Sequence, residues 1–501
     1  MTGKSVIIIG AGMAGLSAGV YAQSNGYRTR MFEHHAVPGG VVTTWKRKGY
    51  TVNYAPHFMW DARPGEPIYD LYQDTGILPE CRFHNRLLLR FIDERSGKSL
   101  VLPRNLDGLA AELKALSPPD IPLIEELMAA AQVLGGASHG DMGMDKPPEL
   151  TGLLDYVREM WGMRRVIKYF SGKFGKPVSD YVQGVGNPLL KRVLENVFLP
   201  DVPVWFMCMV LALYTEGRTV LVDGPSLNIA RAIESRYLEL GGTITYKATV
   251  DEILVENGRA VGVRLTDGSI HKADAVISAA DGYSTVYGML KARFVDQQTS
   301  MRYRNWPLIR PAISTSLGVA REFSGEPHTT SVFLAEPFTV GKQKVESFYY
   351  RVFNYGPDFA PPGKTVIQAD FESEWDYWNG LYETDRETYA AEKKRVAGVI
   401  TERLERIYPG IGSRIEMVDV ATPCTIWRYT RNYRGAYMGW LPTPRALTAR
   451  VRRTLPGLKD FYMAGQWVIP GGGVPPCLFS GRHAVQLLCR EDGKPFSRVS
   501  S

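Results

Sequence analysis

Near its start the chain reads Val6-Ile7-Ile8-Ile9-Gly10-Ala11-Gly12-Met13-Ala14-Gly15. Four consecutive apolar residues are typical of a strand that is buried on both faces of a parallel sheet. The GxGxxG spacing that follows permits a tight turn at Gly10, close approach of a pyrophosphate to the backbone at Gly12, and close packing of helix on strand at Gly15. The residues after Gly15 predict a helix whose N-terminus faces the phosphates. This pattern predicts an α/β, Rossmann-like unit that binds a dinucleotide.

Two features downstream of this motif indicate which dinucleotide is bound. A second apolar run ends at Glu33, about twenty residues after the glycines, where a carboxylate can accept hydrogen bonds from ribose hydroxyls. Gly39 and Gly40 follow, and a glycine pair at this place resembles the glutathione-reductase-type flavoproteins that bind FAD. An ordinary Pro-Gly-Gly turn remains the alternative for this pair.

A second glycine cluster lies near the other end of the chain. Residues 461–465 predict a short strand that ends in Gly465, and a glycine- and proline-rich loop over 470–476 leads to a helix over 482–488. A strand, a glycine-dense loop and a helix start can present peptide N–H groups to a bound ligand. We therefore expect this segment to form the far wall of one flavin site, although a mobile surface loop would explain the same residues.

Composition and charge limit the classes of protein that the chain can represent. The 501 residues are 45% hydrophobic and 22% charged, which is typical of a soluble globular protein of more than one domain. The net charge of +7 is mild over this length, and no nucleic-acid-binding module accompanies it, so we expect no nucleic-acid partner. The five scattered cysteines predict neither disulfides nor a metal site. With no signal peptide and no spanning segment, a cytoplasmic location is expected.

Four blocks of the chain resemble the phytoene desaturase and carotenoid isomerase family of flavoproteins, which is related more distantly to the flavin amine oxidases. The first block extends from the N-terminal glycines through Gly40 to Tyr50. The second runs from Asp223 through the strands of 244–263 to residues 273–280. The third covers 422–439, and the fourth is the glycine cluster of 465–481.

This resemblance implies a set of cofactor-binding residues. Those residues are Gly10, Gly12, Met13, Ala14, Gly15, Glu33, Gly39, Gly40, Val250, Ala279, Gly465, Gln466, Gly473 and Val474. Val250 would meet the adenine through its backbone, and Gly465, Gly473 and Val474 would lie at the ribityl chain and the flavin ring. Gln466 departs from the acidic residue that relatives commonly carry, but an amide can still hydrogen-bond the ribityl chain.

The flavin blocks are discontinuous, so we expect an inserted α+β substrate domain. The predicted flavin-binding segments are 1–100, 221–300 and 411–501. A helical insertion over 101–220 and a strand-rich one over 301–410 would form the substrate domain. Apolar spacing in these insertions predicts helices over 106–116, 123–134 and 153–170, strands over 347–352 and 365–369, and a helix through 396–404.

Two segments of the helical insertion suggest an apolar substrate. Residues 197–211 are the most apolar stretch, and relatives place this segment beside the substrate, so Trp205, Met207 and Met209 are predicted to bind it; a buried core helix is the alternative. The helix over 153–170 interleaves Arg and Lys with aromatic residues, which is typical of a helix that rests on anionic lipid. A solvated helix face explains the same charges. The oligomeric state cannot be inferred.

The chemistry implied by the resemblance is hydride transfer between flavin N5 and a C–C bond of a long apolar substrate of isoprenoid, carotenoid or steroid type. Either desaturation or saturation would fit. His57 is the candidate proton handler because relatives approach the flavin face there, with Tyr429 and Arg428 as weaker candidates. The alternatives are a flavin-dependent C=C isomerase, an amine oxidase, or a lipid-carrying escort protein that has lost FAD.

Overall fold

The apolar run that precedes the glycines forms the central strand of a parallel sheet. The structure is a computed structural model and describes residues 3–136 and 144–499. Its strands are β1 Ser5–Ile9, β2 Arg28–Phe32, β3 Thr44–Arg47, β4 Tyr50–Asn53, β5 Met59–Trp60, β6 Phe83–His84, β7 Leu89–Asp93, β8 Lys98–Val101, β9 Thr219–Val222, β10 Thr243–Thr245, β11 Val250–Glu256, β12 Arg259–Leu265, β13 Ile270–Lys272, β14 Ala275–Ser278, β15 Ala312–Val319, β16 Thr329–Val340, β17 Gln343–Phe353, β18 Thr365–Glu372, β19 Ile415–Ala421 and β20 Phe461–Met463. Its helices are α1 Met13–Ser24, α2 Tyr69–Thr75, α3 Ile77–Glu80, α4 Leu106–Leu116, α5 Ile121–Gly135, α6 Leu153–Gly162, α7 Val178–Tyr181, α8 Pro188–Asn196, α9 Val204–Thr215, α10 Leu227–Glu239, α11 Gln297–Asn305, α12 Trp375–Thr384, α13 Arg386–Ile407, α14 Pro423–Thr430, α15 Pro444–Leu447 and α16 Val474–Glu491.

The parallel sheet joins strands from the beginning, middle and end of the chain in the order β10-β2-β1-β14-β20. The pairs β1–β2, β1–β14, β2–β10 and β14–β20 are all parallel. Because parallel strands end at the same edge of a sheet, the residues that follow β1, β2, β14 and β20 meet at that edge. This edge brings Gly10 and Glu33 together with Ala279 and Gly465, which lie hundreds of positions further along the chain.

Two different layers cover the faces of this sheet. Helices α1, α10 and α16 share one apolar core with β1, while the antiparallel strands β11, β12 and β13 pack on the opposite face. The contact between α1 and α16 is close, since a Cβ on Gly481 would lie 2.4 Å from the carbonyl oxygen of Ala14. Ser17 Oγ also donates to the carbonyl of Leu478 at 2.7 Å. Helices from the two ends of the chain are therefore packed together.

A second, seven-stranded sheet has the order β19-β15-β18-β17-β16-β7-β8. One of its faces packs against α13 through Val396, Ile400 and Leu404. Strands β7, β8 and β19 come from stretches 1–100 and 411–501, which we had assigned to the flavin-binding domain, and they complete the edges of this sheet. The domain boundaries remain a prediction. In the structure, strands from the segments predicted for the flavin-binding domain pair with strands from the predicted substrate domain.

The helices α4, α5, α8 and α9 form a separate apolar core beside the second sheet. The predicted helix over 153–170 is shorter than expected, because α6 ends at Gly162 and two turns of 3-10 helix, Met163–Arg165 and Ile167–Tyr169, follow it. The predicted C-terminal helix is longer, since α16 already begins at Val474. In the described ranges, no helix is long and apolar enough to cross a membrane.

Candidate active site

The glycine-rich turn after β1 has the geometry that its spacing predicts. Gly10 has a φ of +93°, and a Cβ on Gly15 would lie 1.9 Å from the carbonyl oxygen of Gly10, so only glycine fits at Gly15. A Cβ on Gly12 would meet no described atom within 4 Å. The N-terminus of α1 therefore faces open space at Gly12, where its free N–H groups can bind an anion.

Glu33 and the second glycine pair border the same turn. The Glu33 carboxylate is buried and accepts hydrogen bonds from the backbone N–H groups of Ala11 and His35, both at 2.7 Å. Burial raises the pKa of Glu33, and these two hydrogen bonds oppose that shift. Each carboxylate oxygen retains a lone pair for a ribose hydroxyl. Gly39 pairs with Gly12 in a short parallel bridge, and Gly40 would place a Cβ 3.6 Å from Gly12 Cα.

The C-terminal glycine cluster closes the sheet edge from the other side. Gly465 has a φ of +105° and donates its N–H to Ser480 Oγ at 2.6 Å, and a Cβ there would lie 3.7 Å from the Ala14 side chain. Ala279 follows β14 and lies against both Gly10 and Gly465. Gln466 faces an internal cavity, and Gly473 immediately precedes the first residue of α16.

Two of the candidate proton handlers, Arg428 and Tyr429, lie near Glu33. His34 Nε2 lies 3.1 Å from the carbonyl oxygen of Arg428, and the rings of His35 and Tyr429 are 4.9 Å apart. Neither Arg428 nor Tyr429 lines the cavity formed by the described residues. They lie on the surface beside the loop after β2, because α14 ends there. Val250 is buried at the start of β11, next to the segment that pairs with residues 33–35.

A cavity of 1130 Å³ lies between the parallel-sheet edge, the second sheet and α9. Met13, Gln466, Gly473 and Val474 line one side of it. Trp205 and Met209 on α9 line another part. Met207 is fully buried in the helical core and does not line the cavity, since residues two apart on a helix do not share a face. Helix α9 is thus both a core helix and a cavity wall.

His57 also lines this cavity. Its Nδ1 is buried and has no hydrogen-bond partner among the described residues. Burial, with the nearby charge of Arg351 and the neighbouring His328, lowers the pKa of His57 well below its usual value. The imidazole is therefore neutral near pH 7, and its unpartnered Nδ1 can form a hydrogen bond with a molecule in the cavity.

A long, two-part cofactor fits this arrangement. Open space lies at Gly12, the backbone at Gly39 approaches closely, and glycines line the way to the cavity. The pyrophosphate of FAD matches the helix start at Gly12, and the ring end matches the cavity beside Gln466 and Gly473. Fold and site together define a flavin-dinucleotide-binding protein of the glutathione-reductase type.

The chain belongs to the family of flavin containing amine oxidoreductases, whose model matches residues 13–489. The match begins directly after Gly12 and includes Gly15, Glu33 and the C-terminal glycine cluster. The protein is accordingly an FAD-dependent oxidoreductase, as the glycine motifs and the resemblance predicted. When bound, FAD supplies the hydride-transfer chemistry of the reaction.

Curated relatives are similar over nearly the whole chain at low identity. The chloroplastic prolycopene isomerase of Arabidopsis thaliana is 25% identical, with 97% of this chain and 83% of that protein covered. The neurosporene-forming phytoene desaturase of Cereibacter sphaeroides is 24% identical, covering 99% of this chain and 97% of that protein. The predicted resemblance to phytoene desaturases and carotenoid isomerases is confirmed.

Solved structures support the fold class. An oxidoreductase from Methanosarcina mazei has a TM-score of 0.61 at 16% identity and covers 96% of this chain and 100% of its own. Cyclohexylamine oxidase from Brevibacterium oxydans has a TM-score of 0.60 at 14% identity, covering 98% of this chain and 100% of its own. The predicted class, a Rossmann-like FAD-binding domain with an inserted α+β substrate domain, is confirmed.

Several cavity residues escaped the sequence-based prediction. Tyr349, Arg351 and Asp370 on the second sheet line the cavity, as does Tyr437 from the loop after α14. Residues two apart on a strand share a face, so the sequence does indicate that Tyr349 and Arg351 lie on one face of β17. Nothing in the sequence indicates that this face turns towards the cavity.

Proposed function

We propose that this oxidoreductase transfers a hydride between FAD and a C–C bond of a long apolar substrate of isoprenoid, carotenoid or steroid type. The observation that carries the proposal is the cavity of 1130 Å³, which joins the proposed flavin-ring end to a wall of apolar side chains. It extends from the proposed flavin-ring end at Gln466 to Trp205 on α9. The names of the phytoene desaturase relatives support the same substrate class.

In this proposal the two glycine clusters hold the cofactor and the cavity holds the substrate. The glycines of the first turn and Glu33 bind the ADP half of FAD, while Gly465, Gln466 and Gly473 lie along the ribityl chain and the ring. Trp205 and Met209 contact the apolar substrate. His57 is the proposed proton handler, because its neutral imidazole faces the cavity with Nδ1 unpartnered.

A flavin-dependent C=C isomerase is the second candidate. It is favoured by the similarity to prolycopene isomerases, which covers 97% of this chain in the Arabidopsis protein. The two candidates differ in electron balance, because an isomerase returns the flavin to its starting redox state and leaves the substrate at the same oxidation level.

An anaerobic titration tests the proposal. The flavin is released and identified, the holoenzyme is reduced in the absence of oxygen, and unsaturated isoprenoids and sterols are added while flavin absorbance is recorded. The expected result is stoichiometric flavin reoxidation with saturation of one C=C bond, or bleaching of oxidised enzyme by a more saturated substrate. Conversion of a cis to a trans polyene without net flavin change would favour the isomerase. Bleaching by amines alone would overturn both candidates.

We further propose that α6 docks the protein on anionic lipid. Its exposed side chains, here called the docking face, are Leu153, Leu154, Tyr156, Val157, Met160 and Trp161. Large exposed apolar side chains of this density mark an interaction surface. Arg158, Arg164, Arg165 and Lys168 lie exposed beside them, which suits a headgroup layer. Thr151 and Met163, at either end of α6, line the cavity, so an apolar substrate can pass from lipid to the cavity.

Peripheral contact with a membrane from the cytoplasm is the location that fits this proposal. All five cysteines are free thiols, which supports a reducing compartment. Fractionation of cells that express the chain tests this location, with recovery in a salt-releasable membrane fraction as the expected result.

A further inference from the structure

The cavity wall formed by the seven-stranded sheet differs in polarity from the rest of the cavity. Residues two apart on a strand share a face, so Tyr349 and Arg351 on β17 lie beside Asp370 and Gln368 on β18, as the strand register requires. The opposite face of the same strands carries Val352, Ile367 and Ala369, which pack towards α13. The sheet therefore presents polar side chains to the space where an apolar substrate is proposed to bind.

The centre of this wall is a buried ion pair. Arg351 is 6% exposed and Asp370 is 3% exposed, and the guanidinium donates a hydrogen bond to the Asp370 carboxylate. The guanidinium also lies 4.6 Å from the centre of the Tyr349 ring. Burying two charges is costly unless further hydrogen bonds satisfy them, and replacing such a pair by apolar residues is often neutral for stability. A pair that faces a cavity is therefore expected to have a ligand-binding role.

Several polar atoms around the pair are buried and lack a partner within the described residues. They are His57 Nδ1, on a residue that lines the cavity, and Ser314 Oγ, Ser316 Oγ, Gln368 Oε1 and His328 Nε2, on residues that do not line it. Buried polar groups are almost always hydrogen-bonded, so the unpartnered Nδ1 of His57 indicates a partner within the cavity. Arg351 and Asp370, which also line the cavity, add a donor and an acceptor, and this suits a group that can itself donate and accept.

We propose that this polar patch, defined by Tyr349, Arg351, Asp370 and His57, binds a neutral hydroxyl or carbonyl oxygen carried by an otherwise apolar substrate. This inference rests on the proposed function, since it narrows the substrate class from hydrocarbons to oxygenated isoprenoids or sterols. The charge of Arg351 is already offset by Asp370, so a carboxylate would place a second anion beside Asp370. A neutral oxygen can accept from the guanidinium without that repulsion.

Matched ligand series test the proposal in the flavin-loaded protein. One series is β-carotene, cryptoxanthin and echinenone, and the other is cholestane, cholestanol and cholestanone. Within each series the carbon skeleton is shared and one hydroxyl or keto group is added. Dissociation constants are measured by polyene absorbance for the first series and by tryptophan fluorescence for the second, because Trp60 and Trp205 line the cavity. The oxygenated members are expected to bind about tenfold or more tightly than the hydrocarbons.

The double variant Arg351→Met/Asp370→Leu removes the pair without leaving one charge alone. It is expected to bring the ratio of hydrocarbon to oxygenated dissociation constants close to one, while flavin content is kept. The control is Arg192→Met/Asp93→Leu, a 2.9 Å ion pair whose residues do not line the cavity, and it should leave the ratio unchanged.

Two results would overturn the polar patch as a substrate site. The first is equal binding of all members of a series by the unmodified protein, and the second is an unchanged ratio in the double variant. If that unchanged ratio comes with a shifted flavin reduction potential, the patch serves the cofactor. Binding with the expected ratio but without electron exchange would overturn only the proposed reaction. If no probe binds, both proposals are overturned.

Discussion

Gly12 leaves space for a ligand because it has no side chain, and no described atom lies within 4 Å of the position that a Cβ would occupy. The neighbouring glycines serve other purposes, since Gly15 is in contact with the backbone of Gly10 and Gly39 pairs with Gly12. Substitutions at Gly12 should therefore act on the ligand and leave the packing of the protein unchanged.

Gly12→Val should weaken FAD binding by about 3 kcal/mol, or a hundredfold or more, because the methyl groups would displace the pyrophosphate from the N–H groups of α1. Flavin content after purification and a titration with added FAD measure the effect. Gly398→Val is the control, since Gly398 lies exposed in α13 with open space around it. A Gly12→Val protein that purifies with full flavin would mean that the phosphate site lies elsewhere.

His57→Ala should retain FAD and lower kcat by about a hundredfold or more, the usual contribution of a positioned proton-transfer group. Since burial lowers the pKa of His57 well below its usual value, kcat of the unmodified enzyme should show no titration of this histidine between about pH 6 and 8. Stopped-flow flavin reduction across that range measures both effects. His271→Ala, on β13 outside the cavity lining, is the control; unchanged turnover in His57→Ala would make His57 a packing residue.

Among the helices, α6 differs from α9 in what surrounds its apolar side chains. Helix α9 is almost entirely buried, so its apolar residues form the core and the cavity wall. The large apolar side chains of helix α6 are exposed to solvent, with Leu154 86% exposed and Trp161 67% exposed. Helix α9 contains no charged residue, whereas α6 interleaves Asp155, Arg158 and Glu159 with its apolar residues, so the composition already favours the core for α9 and the surface for α6.

Leu154→Glu/Trp161→Glu should weaken binding to phosphatidylglycerol-containing vesicles by about ten- to a hundredfold, because two large apolar side chains would no longer enter the lipid. Vesicle co-sedimentation measures this binding, and neutral phosphatidylcholine vesicles should bind less protein at low salt. Ile270→Glu is matched for exposure, since Ile270 is 52% exposed on β13, away from α6. Equal loss of binding in both variants would argue against the docking face.

Over the whole molecule, the cofactor site depends on strands from distant parts of the chain. β1 and β2 come from the first residues, β14 from the middle and β20 from the last part, and α16 packs on α1. A ligand that contacts all of these elements stabilises only the folded state.

Removal of FAD should lower Tm, and added FAD should raise it again with the logarithm of the free FAD concentration above Kd. At a free concentration a thousandfold above Kd the stabilisation is about 4 kcal/mol. Differential scanning fluorimetry of the apoprotein measures the shift, with NAD as the control ligand. A Tm that rises equally with both compounds, or with neither, would contradict a dedicated FAD site across the sheet edge.

The residues of the phosphate turn were predictable because each performs its role within a few positions of its neighbours. The strand, the turn at Gly10 and the contact of Gly15 with Gly10 are local, and the position of Glu33 follows from the length of one βα unit. Helix α4 was likewise predicted with its observed bounds, Leu106–Leu116, from its apolar spacing. The surface position of Arg428 and Tyr429 was not predictable, because the sequence does not show which face of α14 turns away from the cavity.

The sequence alone determined the cofactor class, since backbone approach to a pyrophosphate requires glycines at set spacings and these can be read directly. Tertiary structure decided what faces the substrate. Met209 lines the cavity and Met207 does not, and Arg351 meets Asp370 only because β17 pairs with β18 in one register. Such contacts depend on which strands pair over long distances in the chain and on which way each side chain points. No local pattern of residues specifies either.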